Sequence, residues 1–292
     1  MNPLSNRRTI FVLVAPGLVI LAFAVLAPIL LSAYYSLVRW DGFGDMRFVG
    51  LQNYRTLMQD EIFWRSIGNF FVLLFVTLFI QNPIAFVVAA VLTKLTSRQS
   101  HIYRTIFFIP AILTVVLVTA LWVNLLDSDF GLVNKVLTAI GLESLTTSWL
   151  SNPSTALGAI IFIIVWYGFP WALLFYYSGL VTVPGQLEEA GIVDGANRFQ
   201  IYTRIVIPYI RPVIQSVVII GVISCLKQME VVYLSTGGAP GSRTQLVANY
   251  LYQEAFVASR FGYGNTISVV FVVFGLGLTL LIRRAFHQTT EL

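Results

Sequence analysis

This sequence predicts an all-α protein that crosses a lipid bilayer six times, and three observations carry that expectation. Charge is scarce: of 292 residues, 57% are hydrophobic and only 11% are charged, whereas a soluble globular domain carries about a quarter. Six apolar stretches, near residues 11–38, 67–92, 106–126, 156–181, 213–235 and 265–282, reach the roughly 20 residues that a hydrocarbon core requires. The remaining charges are also unevenly placed. Ten Lys and Arg residues fall in the N-terminus, 93–105, 182–212 and the C-terminal tail, against seven in the other connections, while the acids divide four against eight. An excess of Lys and Arg marks the cytoplasmic side. Both termini and the 182–212 loop are therefore expected in the cytoplasm, with a single six-span domain over 11–285 between tails at 1–10 and 286–292.

Each element has a physical reason. The first stretch follows Arg7 and Arg8 as a signal peptide would, but it is far longer than the roughly 7–15 residues of a cleavable apolar core, so it is read as a helix that stays. Gln81-Asn82-Pro83, midway along the second stretch, predicts a kink supported by a neighbouring helix, with a gating hinge as the alternative. The connections 39–66, 127–155 and 236–264 are too short for independent domains. The second of them resembles an amphipathic cap, with Leu132, Val136, Ala139 and Ile140 near helical spacing.

Composition also excludes several functions. Cys225 is the single cysteine and the histidines are His101 and His287, so neither a disulfide framework nor a His/Cys metal site is expected. The isoelectric point near 9.4 comes from basic residues scattered around apolar segments, which argues for topology rather than nucleic acid. No G-x-x-x-x-G-K-[ST] phosphate loop, G-x-S-x-G or H-E-x-x-H is present.

The most charged stretch, "EEAGIVDGANRFQIYTRIVIP" (188–208), parses into two short helices. Pro184 suits a first helical turn, after which Leu187, Ala190, Gly191 and Val193 form a small-residue apolar face. Asp194-Gly195 is a turn signal, since glycine accepts positive φ. Asn197 is a fair N-cap for a helix from Arg198 to Ile207, in which Phe199, Tyr202 and Ile205 make a stripe that must be buried. Spacing alone leaves two readings, a plug for a groove on another protein or a helix pair lying on the bilayer.

Glu189-Ala190-Gly191, three residues, Gly195, nine residues, then Ile205-Val206-Ile207-Pro208 resembles the E-A-A, G, I-x-L-P signature of binding-protein-dependent ABC importer permeases. Gly191 stands for the second Ala and Ile207 for the Leu. "FVGLQNYRTLMQDEIFWRSIGN", "YRTIFFIPAILTVVLVTALWVNLL" and "STGGAPGSRTQLVANYLYQEAF" are similar to the carbohydrate branch, in particular a maltose-permease-like first subunit of the short six-span type, without extra N-terminal helices or a large periplasmic insertion. The resemblance implies a type I importer permease in a bacterial or archaeal cytoplasmic membrane. Its partners would be a second permease, two ATPase subunits holding ATP and Mg, and an extracytoplasmic sugar-binding protein. It also implies that Glu188, Glu189, Ala190, Gly191, Asp194, Gly195, Phe199, Tyr202, Ile205 and Pro208 form the element that couples to the ATPase. Glu189 would meet a basic residue there, and the three-residue stripe would fill a cleft.

Two faces suit a sugar path, which needs rings for its C–H faces and polar groups for its hydroxyls. On the fourth span Ile164, Tyr167, Gly168 and Trp171 share a face, and on the fifth Gly221, Ser224, Cys225 and Gln228 do. In the resembled family the transmembrane sugar site lies on these spans. Helix packing and interfacial aromatics explain the same residues. Lys227 and Glu230, the charge pair inside a span, must pair or reach water, by snorkelling or by lining an outer vestibule. An importer of another solute, such as a polyol phosphate, and an ATP-independent channel or carrier remain the alternatives.

Overall fold

A computed structural model describes residues 7–287, so of the expected tails residues 1–6 and 288–292 lie outside the described residues. Among the described residues five helices are long and apolar enough to cross a membrane: Phe11–Tyr35, Glu61–Lys94, Ala156–Val181, Arg211–Ser235 and Phe261–Arg284. They are the first, second, fourth, fifth and sixth spans. The third departs from expectation. Instead of one helix over 106–126 there are two, Ser97–Ile112 and Val115–Leu125, set at 94° to each other.

Local chemistry explains the break. Thr114 adopts an extended conformation, and its side chain accepts a hydrogen bond from the Leu117 backbone N–H at 3.4 Å, so a second helix begins there. The first helix starts upstream of the apolar stretch because Thr96 and Gln99 form a reciprocal capping box.

The second span is continuous over 34 residues, and the expected kink at Gln81-Asn82-Pro83 takes the form of a π-helical turn over Thr77–Gln81. The same device recurs before Pro28, after the π turn Ala22–Leu26, and before Pro208, after the π turn Tyr202–Val206. Proline lacks an N–H, and its ring collides with the carbonyl four residues back. A turn bonded to the fifth residue instead frees that carbonyl without ending the helix.

The described chain forms two compact units, one comprising residues up to Glu61 with Leu251–Leu276, the other Ile62–Tyr250 with the residues from Gly277 onward. In the first unit, no residue of the first span is buried, as befits a helix surrounded by lipid. It leads into β1 (Val38–Arg39), which pairs antiparallel with β2 (Arg47–Phe48) in the register Val38–Phe48 and Arg39–Arg47. This short ladder sits within an otherwise helical chain. The Asn53 amide donates to the Ser36 and Val38 carbonyls, both at 2.9 Å, and the Thr266 hydroxyl also donates to Ser36 at 3.1 Å. Gly262 lets the start of the sixth span approach this corner, because a Cβ there would lie 2.0 Å from the Val38 carbonyl oxygen.

In the second unit the second and fourth spans pack lengthwise. Ala85, Ala89 and Leu92 meet Ala172, Leu173, Tyr176 and Leu180 in one buried core, and the small alanines permit close helix approach. The fifth span joins through Val217 and at Gly179, where an added Cβ would sit 2.9 Å from a Val213 methyl. The expected outer loop from 236 is more than a loop: Thr244, Gln245, Leu246, Val247, Asn249 and Tyr250 are all buried. The second span holds this segment, with the Asn69 amide donating to the Arg243 and Gln245 carbonyls at 2.8 Å and Arg65 donating to Gly241 at 2.8 Å. The expected cap is a helix at Leu132–Ala139 with Leu132, Val136 and Ile140 exposed. Asn134 anchors it by donating to the Thr147 carbonyl and accepting from the Trp149 indole N–H.

Gly179→Leu should overpack the contact between the fourth and fifth spans and cost about 1–3 kcal/mol. The thermal midpoint of the purified protein should fall, and Val213→Ala in the same chain should recover part of it. An unchanged midpoint would mean that these helices do not depend on the close approach.

Candidate functional site

Two features of the second unit carry the residues that the sequence singled out: the 184–210 segment and a cavity between spans. Pro184 is the N-cap, one position before the first helical turn where it was expected, and the helix is Gly185–Val193. Its end is a Schellman motif. The Ala196 N–H bonds the Gly191 carbonyl at 2.9 Å and the Gly195 N–H bonds the Ile192 carbonyl at 3.0 Å. Gly195 sits at φ +79°, the left-handed conformation this motif requires. Asn197 caps the next helix as expected, in a box with Gln200 whose two bonds are 2.9 and 2.8 Å. That helix runs Arg198–Ile201, through the π turn, to Ile207–Tyr209, so it is longer than expected and widened ahead of Pro208.

Burial divides the segment differently from the sequence pattern. The expected stripe of Phe199, Tyr202 and Ile205 is not buried as a set. Phe199 is 76% exposed, whereas Tyr202 packs edge-on against Phe86, and the tip of Ile205 lies where a Cβ on Gly191 would be, 2.8 Å away. The residues that are buried are Ile201, Val206 and Ile210, which enter the core of the second and fourth spans. The π turn lies between Ile201 and Ile207, and the inner face follows the five-residue step from Ile201 to Val206 instead of the three-residue repeat. On the preceding helix only Gly191 of the expected apolar face is buried; Leu187, Ala190 and Val193 are exposed. Ile192, Val193 and Phe199 thus form an outward apolar set beside Glu189 and Asp194, which are exposed as well. Glu188 is engaged within the chain: its carboxylate meets the Lys94 ammonium at 2.5 Å, at the end of the second span.

The cavity, of about 480 Å³, lies among the second, fourth and fifth spans. Tyr167, Gly168 and Trp171 line it from one side and Gly221, Ser224, Cys225 and Gln228 from another, so the structure brings all seven expected path residues together, with Ile164. Trp171 is 48% exposed and also packs edge-on against Phe108. The Cys225 thiol meets the Thr77 hydroxyl at 3.5 Å. Sequence reasoning missed the third wall, Thr77, Gln81 and Asn82 of the second span. Polar side chains inside a span were the signal, and it was spent on explaining a kink.

Lys227 and Glu230 line the same cavity, but among the described residues they form no ion pair. The fifth span explains their placement. It is interrupted at Gln228–Met229, so Lys227 closes one helix and Glu230 opens the next. A cation at a helix C-terminus and an anion at an N-terminus each complement the helix dipole. No group of His, Cys, Asp and Glu among the described residues is arranged to hold a metal ion.

A family model described as the binding-protein-dependent transport system inner membrane component matches residues 81–288. The chain belongs to this family. It is 30% identical to the probable ABC transporter permease protein YurN of Bacillus subtilis, over 98% of this chain and 99% of that one. It is also 30% identical to the diacetylchitobiose uptake system permease protein NgcF of Streptomyces coelicolor, over 96% and 83%. The fold is shared with a crystal structure of a bacterial alginate ABC transporter in complex with alginate pentasaccharide-bound periplasmic protein, at a TM-score of 0.84 and 22% identity over 97% and 95% of the two chains. The protein is a multi-pass permease subunit of a binding-protein-dependent importer, and ATP hydrolysis in such a system resides on separate subunits.

In this permease the bend between the two loop helices rests on Gly195. Gly195→Pro removes both the positive φ and the N–H that bonds Ile192, so amide exchange over residues 191–198 should rise sharply while the spans stay protected. Unchanged exchange there would show that the bend does not need this glycine.

Proposed function

We propose that this permease carries a sugar or oligosaccharide, delivered by an extracytoplasmic binding protein, by alternating access powered by two ATPase subunits that hold ATP and Mg. A second, related permease would complete the path. The observation that carries this reading is the cavity. Two aromatic rings on the fourth span face hydrogen-bonding groups on the fifth across a space of about 480 Å³, the combination that stacks against sugar C–H faces and satisfies hydroxyls. Similarity to a permease of diacetylchitobiose uptake supports the same substrate class, and the fold shared with an alginate transporter accords with it. A transporter must hold its cargo loosely at midpoint, and an open, mixed wall fits that requirement better than a closed polar cage.

The 184–210 segment is the coupling element in this reading, and the Lys/Arg asymmetry orients it, with both termini, towards the cytoplasm. Its outward set of Ile192, Val193 and Phe199 is the surface offered to an ATPase cleft, with Glu189 available for a basic partner. An exposed ion pair contributes only about 0–1 kcal/mol, whereas burying one phenylalanine side chain contributes about 1.5–3 kcal/mol. The apolar set therefore dominates the grip. Phe199→Cys tests both statements, since Cys225 is buried and adds little background. A membrane-impermeant thiol reagent should label Phe199→Cys only in opened vesicles, and bound ATPase should protect it. Labelling from outside would reverse the orientation, and labelling indifferent to the ATPase would leave the segment as an interfacial helix pair.

Uptake by the reconstituted system tests the path. Tyr167→Ala and Trp171→Ala should lower uptake at full complex yield, without changing the affinity of the separate binding protein. If the rings serve only packing, yield falls instead. Unchanged uptake from both variants would remove the cavity from the path.

A further inference from the structure

We propose that Gln81 and Asn82 of the second span are specificity-determining residues, a third wall whose carboxamides read the hydroxyl groups of the cargo. The proposal rests on the sugar-transport reading above. Both side chains line the cavity while being only 7% and 5% exposed. The Asn82 amide nitrogen is fully buried with no hydrogen-bond partner, and Gln81 precedes it on the same wall. Gly168 makes room for it, since a Cβ at that position would lie 3.2 Å from Gln81 Nε2. Their neighbour one turn earlier, Thr77, differs in being engaged by the Cys225 thiol.

Each carboxamide offers two N–H donors and an acceptor. Buried polar groups in folded proteins are almost always bonded, and lipid supplies no partner. Packing the second span against the fourth would be served better by leucine or methionine. A buried amide N–H left open beside this cavity, with a second carboxamide next to it, therefore marks a group whose partner arrives with the cargo. That cargo must supply an acceptor to the Asn82 N–H, and a hydroxyl does so. The π turn places both residues at this level, because Thr77–Gln81 is the segment where the helix is widened.

The test uses the complete assembly in proteoliposomes: this permease, its second permease, both ATPase subunits and the binding protein. Maltotriose, raffinose and diacetylchitobiose are the probes, and the one that stimulates ATP hydrolysis by the unaltered complex is carried forward. Gln81→Leu and Asn82→Leu should each lower its uptake by at least about tenfold, the worth of one hydrogen bond to a buried group. The thermal midpoint of the Asn82→Leu complex should stay level or rise, because an unsatisfied buried amide has been replaced by an apolar side chain of similar shape. Asn82→Ser, which keeps a hydrogen-bonding group, should retain more uptake than Asn82→Leu. Unchanged uptake in both leucine variants overturns the proposal, and so does a loss of uptake that tracks a lowered midpoint, since the amides would then be holding helices together. If no probe stimulates the unaltered complex, the sugar reading itself falls, and this proposal with it.

Discussion

Ile201, Val206 and Ile210 lie in the same buried core as Ala85, Ala89 and Leu92 of the second span and Ala172, Leu173 and Tyr176 of the fourth. The rest of the larger unit depends on this seam. Each aliphatic side chain removed from water contributes about 1.5–3 kcal/mol, so the three together far outweigh the half-exposed Lys94–Glu188 pair at about 0–1 kcal/mol. The segment that the family signature marks is therefore an extension of the membrane bundle. Its outer face is free for a partner because its inner face is already committed.

Three prolines sit just after widened turns in the first and second spans and in the 198–209 helix. In lipid, a helix end with open carbonyls is unfavourable, so in the two spans a proline that would stop a soluble helix must be absorbed. A π turn does this while rotating every residue beyond it. The widened turns thus accompany two features with no obvious connection, the five-residue step that puts Val206 on the inner face with Ile201 and the placement of Gln81 and Asn82 in the cavity wall.

Much of the architecture was legible because apolar length is a strong signal. The fourth span runs over the expected 156–181, and the turn at Asp194-Gly195 and the cap at Asn197 follow from side-chain chemistry visible in single residues. The aromatic face of the fourth span and the polar face of the fifth also followed from helical spacing, and the structure places both on one cavity. Other features were hidden for identifiable reasons. Thr114 sits in an unbroken apolar run, where hydropathy cannot register that one hydroxyl starts a new helix at 94° to the last. The burial of Thr244, Gln245 and Asn249 depends on Asn69, far away in sequence, supplying donors. The Phe199, Tyr202 and Ile205 repeat assumed a helix of constant pitch, which the π turn interrupts.

The second span is 34 residues long, about 51 Å at helical rise, against a hydrocarbon core of roughly 30 Å. Near one end Arg65 and Asn69 grip the 241–245 backbone, and at the other Lys94 reaches Glu188. A single rod thus touches both the segment near its first end and the bent loop at its last. Its one irregular turn falls beside the cavity, so the rod departs from regular helix only at the cavity's level. Any displacement of that turn is therefore felt at both ends of the rod, at the 241–245 backbone and at Glu188.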